Sequence, residues 1–191
     1  MASDVDADLA ALAERMRAWT VRIHEARGRS MGSGVIWTDD GLVVTNAHVV
    51  RGARTTVEFP NGRFERAALI ARDPDCDLAL LRLASELEAT PVVTRSAAQL
   101  RPGELVAAVG NPLGLSGALT LGTVQRVNAK WVIADVRLAP GNSGGPLVDT
   151  SGRIVGINSM IARGLALAVP ADRVVAFLRA HAGEKRAQPA A

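Results

Sequence analysis

Pro140-Gly141-Asn142-Ser143-Gly144-Gly145-Pro146 surrounds one serine with five glycines and prolines in seven residues. A nucleophilic serine needs its hydroxyl on a tight turn, with unhindered backbone N–H groups facing a developing oxyanion, and small neighbours permit both. Gly and Asn equally favour a plain turn between strands, so this segment alone leaves catalysis and turn formation open. The pentapeptide Gly141–Gly145 also fits the G-x-S-x-G elbow of the α/β-hydrolases. That fold places an acid and then a histidine after the serine. Only 48 residues follow Ser143, and their single histidine, His181, falls at the end of a helical pattern. The chain also lacks alternating strand and helix patterns, so the elbow reading is rejected and a β frame is expected around the serine.

Working outward, the runs Trp19–Ala26, Gly34–Trp37, Leu42–Thr45, Thr55–Phe59, Leu78–Leu83, Leu105–Val109, Trp131–Val136, Ile154–Asn158 and Leu165–Val169 are short and apolar or alternating. Asp40-Gly41, Asn61-Gly62, Pro102-Gly103 and Ser151-Gly152 stand between them as hairpin-type turns. This spacing predicts a sandwich or barrel architecture. Residues 3–17 read as an amphipathic helix capped by Ser3, with Val5, Leu9, Leu12 and Met16 on one face. Pro170 opens a last helix with Val174, Val175 and Leu178 as its apolar stripe. Residues 84–100 are the least patterned and separate two β units. The expected divisions are 1–18 (helix), 19–90 (first β unit), 91–170 (second β unit) and 171–191 (helix and tail).

Composition narrows the function classes. With 48% hydrophobic and 21% charged residues the 191-residue chain is an ordinary globular one. No apolar run approaches the roughly 18 residues of a membrane helix, and Met1–Asp6 lacks the basic start of a secretory signal. The single cysteine, Cys76, excludes an intramolecular disulfide and a cysteine zinc cluster. It is expected to be a small buried residue in a reducing, cytoplasmic setting. The net charge is +3, and residues 101–191 carry ten basic against five acidic groups. These cations are dispersed and no aromatics are interleaved with them, which argues against a nucleic-acid surface.

A serine nucleophile needs a base. His24 sits in the first strand between Ile23 and Glu25 and is expected at the surface. His48 follows Leu42-Val43-Val44-Thr45-Asn46-Ala47, where a polar imidazole needs a hydrogen-bond partner. A buried structural histidine and a catalytic base both fit that position. The base in turn needs a carboxylate to orient it. Asp73-Pro74-Asp75-Cys76-Asp77-Leu78 offers three. Asp73 and Asp75 suit a solvated turn, whereas Asp77 enters an apolar strand, where its charge requires a partner. Asp77 is preferred over Asp75.

The order His48, Asp77, Ser143 is that of the chymotrypsin-type triad. The chain resembles the trypsin-like peptidase domain of the HtrA/Deg family through Gly32–Ile36, Thr45–Val50, Asp77–Leu81, Val109–Gly114, Pro140–Leu147, Ile154–Asn158 and Ala168–Pro170. The likeness runs in order from about residue 19 to 180. It implies an all-β protein of two six-stranded antiparallel barrels, with a helix at each end and the active site between the barrels. His48 and Asp77 would come from the first barrel and Ser143 from the second. By the same resemblance Gly141 and Ser143 supply the oxyanion hole, and Asn158-Ser159-Met160 pairs with the substrate backbone. Ala166 would narrow the primary pocket toward small aliphatic residues. Arg137 would either floor that pocket or face solvent, solvent being favoured. Asn142 replaces the Asp of digestive relatives, so activation by chain cleavage is not expected.

The implied activity is endopeptidase cleavage of unfolded or flexible polypeptides, with no cofactor or metal. A catalytically weak peptide-binding or chaperone-like module and an esterase are the alternatives. The chain stops shortly after its last helix, where such proteins usually carry a PDZ domain, and its regulatory loops are short, so gating by them is not expected to transfer. A monomer or a small homo-oligomer is expected, a trimer through helix 3–17 included. No membrane or nucleic-acid partner is expected.

Overall fold

The computed structural model describes residues 2–25, 30–52, 55–87 and 92–182. Helix α1 (Ala2–Trp19) leads into six strands, β1 (Thr20–Glu25), β2 (Ser30–Ile36), β3 (Leu42–Thr45), β4 (Thr55–Glu58), β5 (Phe64–Asp73) and β6 (Leu78–Leu83). These close into an antiparallel barrel in the order β1-β2-β3-β6-β5-β4. Six more follow, β7 (Leu105–Gly110), β8 (Ala118–Val127), β9 (Val132–Asp135), β10 (Pro146–Asp149), β11 (Ile154–Ala162) and β12 (Leu165–Pro170). They form a second closed barrel, β10-β11-β12-β9-β8-β7, and α2 (Ala171–His181) ends the described fold. The architecture is the expected pair of six-stranded barrels with two helices.

The alternation of side chains along a strand explains why several strands read as unbroken apolar runs. On β6, Ala79, Leu81 and Leu83 fill the first barrel. Leu78 and Leu80 face the other way, into a core shared by both barrels and both helices. In the second unit Val106, Ala108 and Leu147 fill the barrel, while Ala107, Val109 and Val148 reach the shared core. With both faces buried, no polar face remains to mark the strand. Burying a side chain of Leu size in this way contributes about 1.5–3 kcal/mol.

Three strands had no signal strong enough to be read. β5 carries a register shift between Leu69 and Ala71, so its burial does not alternate cleanly. β8 shifts register between Val124 and Arg126 and is largely half-exposed. β10 is only four residues long, and its Pro146 belongs to the serine turn. The weakly patterned linker is tied down at Val93 and Arg95. Arg95 N–H donates to Ile154 O at 2.9 Å, and Ile154 N–H donates to Val93 O at 2.8 Å.

The helices differ from expectation in detail. α1 begins at Ala2, so Ser3 lies within it rather than capping it. Val5 is exposed, and the buried face is Leu12, Ala13, Met16 and Trp19. On α2 the stripe is Ala171, Val174, Phe177 and Leu178, with Val175 half-buried. Met16 is 0% exposed in the shared core, so α1 packs on the protein body as part of its structure. Met16→Ala is expected to cost about 2–5 kcal/mol of stability, read as a lower denaturant midpoint. Val5→Ala should stay within about 0.5 kcal/mol.

Candidate active site

His48 is displayed by a turn whose other members are pinned. Ala47, Val49 and Val50 are buried. Arg72 Nε donates to Ala47 O at 2.9 Å and Val50 O at 3.1 Å. Asn46 Nδ2 donates to Asp77 O at 2.9 Å. The imidazole itself is 44% exposed.

Asp77 sits at φ 52°, a left-handed conformation that Asp tolerates better than most residues. The loop before it is an Asx turn, in which Asp73 Oδ1 accepts the N–H groups of Asp75 and Cys76 at 2.9 and 3.0 Å. Asp73 thus has the turn role expected of it, and Asp77 is the carboxylate that meets the histidine. Asp77 Oδ2 and Oδ1 lie 2.9 and 3.0 Å from His48 Nδ1, and Oδ1 accepts the His48 N–H at 3.2 Å. Burial disfavours the Asp77 charge. Hydrogen bonds from His48 and Ser159, with the attraction of His48, outweigh it and hold the carboxyl below its ordinary range. An ionised carboxylate only accepts, so Nδ1 is the donor, and in the neutral ring Nε2 is the nitrogen left with a lone pair.

Ser143 comes from the turn between β9 and β10. Ser33 N–H donates to Ser143 O at 2.7 Å, and Gly144 N–H donates to Asn158 O at 2.8 Å. Gly144 has φ 87°, and a Cβ there would lie 2.0 Å from Ser33 O, so only glycine fits. The N–H groups of Gly141 and Ser143 have no acceptor among the described residues, which leaves two adjacent donors for an oxyanion. Ser143 Oγ donates to Ser159 O at 2.9 Å rather than to His48.

Ser159 joins the two halves. Its Oγ donates to Asp77 Oδ2 at 2.5 Å, while its carbonyl receives the Ser143 hydroxyl. The expectation for Ser159 was substrate pairing, and its hydroxyl turns out to be a third ligand of the orienting carboxylate. A register shift between Asn158 and Met160 marks a β-bulge there, the kind of irregularity that re-aims a side chain. Spacing could not reveal this role, because Ser159 lies 82 residues from Asp77.

The remaining expected residues are distributed as follows. Asn158 is buried, its N–H and C=O are used by Gly145 and Gly144, and its amide donates to Pro146 O at 2.9 Å. Its side chain therefore holds the serine turn and does not face substrate. β11 pairs with β10 only as far as Ile157, so beyond the turn its second edge carries no strand among the described residues. Met160 lies on that stretch and is half-exposed. Ala166 is 2% exposed, with its methyl in the second barrel's interior. Arg137 is exposed, which matches the solvent reading and not a pocket floor. Asn142 is buried, as an uncharged amide can be.

Two expectations outside the site change. His24 is half-buried, its Nε2 2.6 Å from Glu58 Oε2. Cys76 is half-buried, and its Sγ accepts from Arg173 Nη2 at 2.8 Å. Burial and the adjacent Asp73 push its thiol pKa up, as for a structural thiol and unlike a reactive one. His181 Nδ1 donates to Phe177 O at 2.8 Å on α2.

Comparison with known proteins places the chain in a family. The family described as "Trypsin-like peptidase domain" matches residues 32–157. "Serine protease HTRA2, mitochondrial" of Bos taurus is 37% identical over 171 residues, covering 82% of this chain and 37% of that protein. The "Probable periplasmic serine endoprotease DegP-like" of Halomonas elongata is 37% identical over 165 residues, covering 78% and 34%. The chain thus spans about a third of the length of these relatives. The solved structure titled "HtrA-type protease AlgW with decapeptide" superposes with a TM-score of 0.80 at 25% identity, covering 90% of this chain and 66% of that one. With barrels, serine turn and relatives in agreement, the chain belongs to the trypsin-like peptidase family, as a protease domain of the HtrA-like kind.

Proposed function

We propose that this chain is a serine endopeptidase that hydrolyses unfolded or flexible polypeptides through Ser143, His48, Asp77 and an acyl-enzyme. The observation that carries the reading is the grip of the Asp77 carboxylate on His48 Nδ1, at 2.9 and 3.0 Å. It leaves Nε2 as the free base in an imidazole whose other nitrogen is committed.

The steps follow from the groups present. The Ser143 hydroxyl leaves the Ser159 carbonyl by rotation about χ1, a move between staggered wells. Catalytic hydrogen bonds are commonly loose before substrate arrives. His48 Nε2 removes the proton as Oγ attacks the scissile carbonyl carbon, and Asp77 stabilises the imidazolium. The N–H groups of Gly141 and Ser143 receive the negative oxygen. The imidazolium then protonates the departing amine, and water attacks the acyl-enzyme with His48 again as base. A substrate in extended form adds along the open stretch of β11 at Ser159–Ile161, where main-chain hydrogen bonding is independent of side-chain identity. A decapeptide accompanies the HtrA-type structural neighbour, which supports a polypeptide as ligand.

A fluorophosphonate probe tests the reading. One probe molecule should attach per chain at neutral pH, and the protein should degrade unfolded casein. Both should vanish in Ser143→Ala. Absence of labelling in the unaltered chain would overturn the proposal.

A further inference from the structure

Ser33 lies on β2 opposite Arg22 and is 0% exposed. Its main chain already supports the serine turn, donating to Ser143 O at 2.7 Å and accepting the Thr45 hydroxyl at 2.6 Å. Its side chain is fully committed as well. Ser33 Oγ lies 2.7 Å from Gly141 O, 3.0 Å from Asn111 N and 3.1 Å from Asn111 Nδ2. A hydroxyl offers one proton and two lone pairs. Both Asn111 groups are N–H donors and occupy the lone pairs, so the proton goes to Gly141 O. Asn111 is buried too, its Nδ2 also donating to Val21 O at 3.1 Å and its Oδ1 accepting from Gly117 N at 3.1 Å. The direction of the Ser33 bond is therefore enforced from behind.

Two peptide planes meet at the Gly141 α-carbon, and glycine offers no side chain to resist their rotation. The Pro140–Gly141 plane carries one of the two free N–H donors. Its carbonyl is held by Leu113 N–H at 3.1 Å, and in a trans peptide the N–H then points the opposite way. The second plane carries Gly141 O, held by Ser33 Oγ, and Asn142 N–H, which donates to Ala139 O at 3.0 Å, so the hydroxyl is one of its two anchors. Without that hydroxyl, Gly141 O keeps only the 3.4 Å contact from Asn111 N.

The geometry points to Ser33 as a positioning residue for the oxyanion hole, acting through Gly141 O. This rests on the serine-protease reading above. Ser33→Ala is expected to lower kcat on a fluorogenic peptide by about ten- to a hundredfold, with KM within about twofold. A peptide boronate, whose tetrahedral adduct places an oxygen in the hole, should lose affinity by the same factor as kcat/KM. The uncleaved peptide should bind the Ser143→Ala and Ser33→Ala/Ser143→Ala proteins equally. A residue that merely packs would lower the melting temperature without this parallel.

The inference is overturned by a kcat within about twofold of the unaltered protein, by unchanged boronate affinity, or by a loss confined to KM. Should Ser33→Ala not fold, Ser33→Cys keeps a side-chain donor, larger and weaker than the hydroxyl, and the same two readouts decide. An unaltered protein that turns over nothing removes the serine-protease reading together with this one. Turnover that Ser33→Ala leaves intact removes only the role of Ser33.

Discussion

His48→Ala is expected to lower kcat for a peptide substrate by about a millionfold while leaving KM nearly unchanged. The imidazole has no substitute within the site. Asp77 only accepts hydrogen bonds, and Ser159 Oγ is already committed to Asp77 Oδ2. Because the groups act as one unit, adding Asp77→Ala to His48→Ala should cost little more. Asp77→Asn alone should cost about 10⁴-fold. Its amide can turn an N–H toward Nδ1, which forces the proton onto Nε2 and removes the lone pair that accepts from Ser143. Single-turnover assays on a fluorogenic peptide separate these cases. A His48→Ala protein within about tenfold of the unaltered rate would exclude the imidazole as base.

In the sequence the local pattern singled out Asp77 and showed that His48 needs a partner, while the choice of His48 as base came from the triad order and the family resemblance. Asp77 enters an otherwise apolar strand and His48 follows one, and an apolar neighbourhood forces such groups to find partners. The serine turn was readable from its glycines. Ser159 was not legible in its actual role, since a hydroxyl on a strand is unremarkable until a bulge re-aims it at a carboxylate from the other barrel. Ser33 and Asn111 lie 78 residues apart and meet only when both barrels close. The same division holds for the fold. Strands buried on both faces, such as β3 and β6, stand out as apolar blocks. β5 and β8 carry bulges that interrupt the two-residue period. Arg137 and Ala166 mark a different limit. Their expected roles came from likeness to relatives at matching positions, and exposure of one and enclosure of the other are decided by packing that a position does not specify.

Gly141→Ala should lower kcat by about a hundred- to a thousandfold with the triad intact. Gly141 has φ 107°, which costs an L-residue with a Cβ, and that Cβ would stand 2.3 Å from Asn111 O. Asn111 cannot retreat easily, because Ser33, Val21 and Gly117 hold it. The turn is therefore the part that moves, carrying the Gly141 N–H away from the oxyanion. His48 and Asp77 belong to the other barrel and keep their geometry, so the pH dependence of the residual rate should match that of the unaltered protein. Loss of the base would change that profile, whereas loss of one oxyanion donor scales it down. Fluorophosphonate labelling should slow by a comparable factor, because its phosphoryl oxygen occupies the same hole. Unchanged kcat in Gly141→Ala, in a protein whose melting transition shows it folded, would rule out Gly141 N–H as an oxyanion donor.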